Sequence, residues 1–161
     1  MLKNMAENDF IVSKTDTKGK ITYCNKIFMD MAEYTEEELL GKPHSIVRHP
    51  DMPKAVFRYL WDMIAKKEEV FAYVVNKTKN NNHYWVFTNV TPSFDNNGKI
   101  IGYYSVRRKP NPKALEAIIP LYKKMVEIEN NEGVDASFKI LTDILEDKGV
   151  SYDEFIISLQ K

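Results

Sequence analysis

A single cysteine, Cys24, stands in 161 residues. That excludes an internal disulfide and any metal site built from several thiolates, and it points to a reducing compartment. No apolar run approaches the roughly 20 residues needed to cross a bilayer, and Met1 to Glu7 hold no apolar core of a secretory signal. A cytoplasmic location without direct membrane insertion is therefore expected. An excess of one charge is missing too: Lys+Arg and Asp+Glu number 23 each, so no net field draws nucleic acid. Repeats are absent, and low complexity is confined to asparagine-rich turns. Neither a nucleophile–base pair nor a carboxylate pair can be read from the sequence, so an enzyme is not expected.

Against these absences stands a hydrophobic content of 43%, enough for one core of ordinary size. The charge is unevenly spread. From Lys113 onward there are six basic and ten acidic residues, against seventeen and thirteen before it. A mildly basic first part suits an anionic ligand, and a mildly acidic tail suits a partner.

Strand and helix signals come in runs. Asp9–Lys14 and Ile21–Cys24 read as a hairpin around Asp16–Lys20, where Gly19 suits positive φ. Asn25 can cap a helix from Lys26 to about Glu33. Thr35 with Glu38 is a capping box for a second short helix ending at Gly41. Lys54–Lys67 repeats Val56, Phe57, Leu60, Trp61 and Ile64 at helical steps. Val70–Val75, Tyr84–Val90 and Ile100–Arg107 are β-branched and aromatic, with asparagine-rich turns between them. This order predicts α+β with an antiparallel sheet. Pro110 and Pro112 then mark a boundary, so residues 1–109 are expected as one domain and 110–161 as a helical extension. The extension is expected to comprise a connector helix, Lys113–Glu129, and a hairpin of Asp135–Lys148 and Ser151–Gln160. In that hairpin Phe138, Leu141, Ile144 and Leu145 would face Phe155, Ile156 and Leu159.

The most informative stretch is Gly41-Lys42-Pro43-His44-Ser45-Ile46-Val47-Arg48-His49-Pro50-Asp51-Met52-Pro53. Three prolines forbid a regular element through it, and into that stiffened backbone the chain places Arg48, His49 and Asp51. Two readings stand side by side: a rigid polar ligand site, or a corner in which Arg48 and Asp51 pair with each other.

The run Glu33–His44 (E-Y-T-E-E-E-L-L-G-K-P-H) resembles the common PAS motif. Val47–Phe57 (V-R-H-P-D-M-P-K-A-V-F), Asn80–Pro92 and Gly102–Arg107 resemble the aerotaxis-receptor branch of that superfamily. The resemblance covers roughly Asp9 to Lys109 and extends to stand-alone PAS proteins of energy taxis. It implies a PAS fold, with a five-stranded antiparallel sheet, short helices on one face and helices after it. It also implies non-covalent FAD between sheet and helices, with flavin redox state as the signal. Carried over by position, Arg48, His49 and Asp51 become the binding triplet, and Asn25, Phe57, Asn76 and Asn89 line or shape the pocket. Arg48 can bond a pyrophosphate or flavin carbonyl in bidentate fashion. His49 can stack near or donate to the ring. Asp51 can orient Arg48, and Asn76 offers donor and acceptor to a pyrimidine-like edge. Both Trp61 and Trp85 are expected in the core, with Trp85 as a pocket wall. At the third strand the family usually carries Trp, Gly and Lys where this chain has Val70, Ala72 and Val75.

Two further readings remain open at this point. His44, His49 or His83 could ligate a haem iron, or the domain could be a cofactor-free interaction module. The expected partner is a membrane-bound chemotaxis-type transducer or another signalling protein, with a homodimer as the alternative. Cys24, on a buried strand, reads as an inert small hydrophobe.

Overall fold

Asp16 makes the first turn. Its carboxylate accepts from the N–H groups of Lys18 and Lys20, both at 2.9 Å, and Gly19 takes φ 82° there. The turn joins β1 (Phe10–Thr15) to β2 (Ile21–Cys24). A computed structural model describes residues 1–161. Three short helical pieces follow: α1 (Lys26–Ala32), α2 (Glu36–Leu39) and a 3₁₀ turn at His44–Val47. Then come α3 (Lys54–Ala65), β3 (Val70–Lys77), β4 (His83–Phe94) and β5 (Ile100–Arg108). The chain ends in α4 (Pro112–Glu132), α5 (Val134–Lys148) and α6 (Tyr152–Gln160).

The five strands form one antiparallel sheet in the order β2-β1-β5-β4-β3. The fold is α+β, as the sequence predicts. Both capping boxes form, Thr35 with Glu38 and Ser151 with Glu154. Helices α1–α3 lie over one face of the sheet, and inner residues such as Ile11, Val74 and Val86 are buried there. No helix is long and apolar enough to cross a membrane.

The helices beyond Pro110 pack against the opposite face. The Tyr122 hydroxyl donates to the Tyr73 carbonyl at 2.7 Å, and the Tyr73 hydroxyl donates to the Ile156 carbonyl at 3.3 Å. Ala114, Ile118, Tyr122, Met125, Leu141, Tyr152 and Ile156 belong to the same hydrophobic cluster as the sheet. The expected boundary after residue 109 thus falls between β5 and α4, while the helices share one core with the strands. The expected tail hairpin is replaced by a different packing. Helix α5 runs chiefly along α4 and touches α3, while α6 lies on β3. Helix α3 depends on α4 directly. Pro53 offers no side-chain cap, and the Glu129 carboxylate accepts from Lys54 and Ala55 N–H at 3.0 and 2.8 Å instead.

Candidate functional site

Between α3, the 3₁₀ turn and the inner face of the sheet lies a cavity of about 250 Å³. Strand alternation selects which residues reach it. From β3 come Val74 and Asn76, from β4 Thr88 and Val90, and from β5 Tyr103, Ser105 and Arg107. Leu60, Trp61 and Ile64 reach it from α3. The lining includes three cationic side chains, Lys18, Arg48 and Arg107, and no carboxylate.

Arg107 is the floor. It is 3% exposed, lies 4.5 Å over the Phe28 ring, and donates from Nη2 to Ser13 Oγ at 2.5 Å. Ser13 Oγ is also 3.1 Å from His44 Nε2, and the His44 ring stacks on Phe28 at 5.6 Å. Burial pushes Arg107 down to about 10, which leaves it protonated at neutral pH. Burial first, then the positive Arg107 and Arg48, push His44 down to about 3, so its ring is neutral. The Nε of Arg107 and the Nδ2 of Asn76 are buried without any hydrogen-bond partner. A buried donor left unpaired is costly and marks a place for a ligand acceptor.

The expected triplet divides. Arg48 lines the cavity, its guanidinium 4.4 Å over the Phe57 ring, and its backbone bridges antiparallel to Asn76. The next residue points elsewhere because Arg48 is extended, at φ −69° and ψ 128°, and successive extended residues face opposite sides. His49 lies outside the cavity. Its Nδ1 accepts from the Asp51 N–H at 3.0 Å and its ring meets His83 at 5.7 Å. Burial lowers its pKa although Asp51 acts against this. Asp51 stands in solvent with its side chain 79% exposed, 3.7 Å from His49. Convergence of all three on one pocket, and an Arg48–Asp51 pair, are both corrected by this geometry.

Phe57 and Asn76 line the cavity as expected; the other three do not. Asn25 is a structural knot. Its Oδ1 accepts from Val12 and Phe28 N–H at 3.0 and 3.1 Å, and its Nδ2 donates to the Phe10 carbonyl at 2.8 Å. Trp85 lies on the outer face of β4, 5.9 Å from Tyr122. Asn89 lies on that face too, donating to Glu69 and the Val70 carbonyl at 3.3 and 3.4 Å. Trp61, expected in the core, is 44% exposed at the cavity mouth. Val70 and Ala72 are fully buried on the inward side of β3 but do not line the cavity, and Val75 faces outward opposite Trp85.

Ser13, His44, Thr88, Ser105 and Arg107 line the site without having been assigned to it. The available signal was a cation inside a strand pattern, two positions from Ser105 and therefore on the same face as it. No group of three His, Cys, Asp or Glu side chains is placed to hold a metal ion.

A PAS-fold profile matches residues 21–107, and the chain belongs to that family. It is a sensor domain related to the aerotaxis receptor of Escherichia coli (strain K12), with 41% identity over 121 residues. The match covers 75% of this chain and 24% of the receptor. Phototropin-1A of Oryza sativa subsp. japonica is 24% identical over 106 residues, covering 66% of this chain and 12% of that protein. The chain thus spans about a quarter or less of these curated relatives. A light-oxygen-voltage domain solved with a flavin analogue superposes with a TM-score of 0.60 at 17% identity. That match covers 71% of this chain and 86% of the other, and it supports the fold.

Proposed function

We propose that this chain is a cytoplasmic redox sensor of energy taxis that holds FAD non-covalently and signals by contact to a chemotaxis-type transducer. The observation that carries the reading is a cavity with three cations, no carboxylate, and unpartnered donors on Asn76 and Arg107. Asn76 can offer both donor and acceptor to a pyrimidine-like edge. Arg107 supplies positive charge deep in the site, and Arg48 supplies a bidentate donor nearer the surface. Leu60, Ile64 and Val74 make part of the wall apolar. A bound flavin would contribute reversible electron uptake; the chain contributes positively charged surroundings that favour the more negative state.

Relatedness to the aerotaxis receptor supports the same reading. Haem is less well served. His49 and His83 do not line the cavity, and His44 Nε2 is occupied by Ser13. Purified protein should show flavin absorption, with FAD identified in the heat-released fraction. A Soret band, or a chromophore-free protein that FAD does not reconstitute, would overturn the assignment.

A further inference from the structure

We infer that Trp61 and Tyr103 form a platform at the cavity mouth that reads the second nucleoside of a dinucleotide, so that the site selects FAD over FMN. This rests on the flavin reading above and concerns a part of the cavity that reading leaves unused.

Size comes first. An interior of about 250 Å³ is below the roughly 300–1,000 Å³ of pockets that bury a whole drug-sized ligand. One ring system fills it, and the rest of a larger ligand must lie outside. What lies outside is then chosen by the rim. On α3, Phe57, Leu60, Trp61 and Ile64 share one stripe, but Trp61 stands at its solvent edge with 44% of its surface exposed. Its indole meets the Tyr103 ring edge-on, with centroids 5.3 Å apart. A tryptophan on a cavity wall, braced by a tyrosine yet open to solvent, offers a rigid face for a planar group.

Charge narrows the group further. Lys18, on the turn beside Gly19, and Arg48, over Phe57, line the same cavity, and no carboxylate opposes them. Flat π-surface together with positive charge is the combination that holds a base and its phosphates. A mononucleotide would use the cations and leave the indole bare. A dinucleotide would use both. A stacked base would cover the indole surface that the fold leaves exposed at the cavity wall.

The test titrates the 161-residue protein, stripped of its cofactor, with riboflavin, FMN and FAD, followed by fluorescence anisotropy and calorimetry. Wild type should prefer FAD to FMN by roughly tenfold or more, the size of one base–aromatic stack. Trp61→Ala should lose about that factor for FAD and leave FMN affinity nearly unchanged, while Trp61→Phe retains most of the preference. Matched thermal unfolding curves establish that the exposed site was altered without disturbing the fold. Equal affinity of wild type for FMN and FAD, or an equal loss of both in Trp61→Ala, would overturn this inference and leave the flavin reading intact. Failure of wild type to bind any of the three would overturn both.

Discussion

Among the side chains of the cavity, His44 carries a direct consequence for behaviour in solution. Its folded-state pKa of about 3 lies below the ordinary 6.5, through burial first and then Arg107 and Arg48. Between these values the unfolded chain binds a proton that the folded chain does not. Stability is therefore complete above about pH 6.5 and falls as pH drops toward 3. Urea unfolding across that window should give a falling midpoint, and His44→Gln should flatten the slope. An unchanged acid slope in the variant would count against this role. Arg107 leads to a different expectation. A buried cation with no carboxylate beside it carries a desolvation cost that an apolar side chain avoids. Arg107→Met should keep its melting temperature or gain slightly, yet retain much less flavin. A strongly destabilised variant would mean that the contacts to Ser13 and Phe28 hold the fold rather than the ligand.

Several elements hang on single joints. Asn25 ties α1 to β1 through three hydrogen bonds. Its replacement by alanine should cost about 1–3 kcal/mol, read as a lower urea midpoint. Gly102 in β5 is required by close approach: a Cβ there would lie 2.3 Å from the Thr15 carbonyl oxygen. Because Thr15 lines the cavity and that contact is backbone, Gly102→Ala should push the β1–β2 turn away. A cost of about 1–3 kcal/mol is expected, with weakened ligand retention measured on the same sample. Unaltered stability would mean that β1 and β5 can part there without cost.

Across the molecule, a single layer of sheet separates the cavity from the C-terminal helices. Asn76 and Val74 face the cavity, while their neighbours Tyr73 and Val75 face the helical side, where Tyr122 bonds the Tyr73 carbonyl. That contiguity puts α4 and α6 in direct hydrogen-bond contact with β3, through Tyr122 on the Tyr73 carbonyl and the Tyr73 hydroxyl on the Ile156 carbonyl. It also makes the tail hard to remove. Truncation after Asn111 deletes Ile118, Tyr122, Met125 and Ile156 from the core and removes the Glu129 cap of α3. The truncated chain should be poorly soluble, with weakened near-ultraviolet circular dichroism. A soluble, flavin-loaded truncation that had lost only its partner would establish the tail as a separable docking element.

Local patterns were enough to foresee most elements of this chain. Capping boxes, turn chemistry and hydrophobic period act within a few residues, so Thr35–Glu38, Asp16–Gly19 and the α3 stripe were legible. Arg48, Phe57 and Asn76 were legible as cavity residues through motif resemblance. Facing direction was not. Tyr84, Trp85, Val86 and Phe87 form an unbroken apolar run because α1–α3 cover one side of β4 and the C-terminal helices the other. A strand covered on both sides loses the alternation that would tell inward from outward, so no local pattern stood against placing Trp85, or Asn89 by resemblance, in the pocket. Arg48, His49 and Asp51 are neighbours in the chain, but extended backbone sends adjacent side chains apart. Arg107 meets His44 and Ser13 only because β5 pairs with β1 and the proline segment folds over them, and contacts between such distant positions leave no local mark in the sequence.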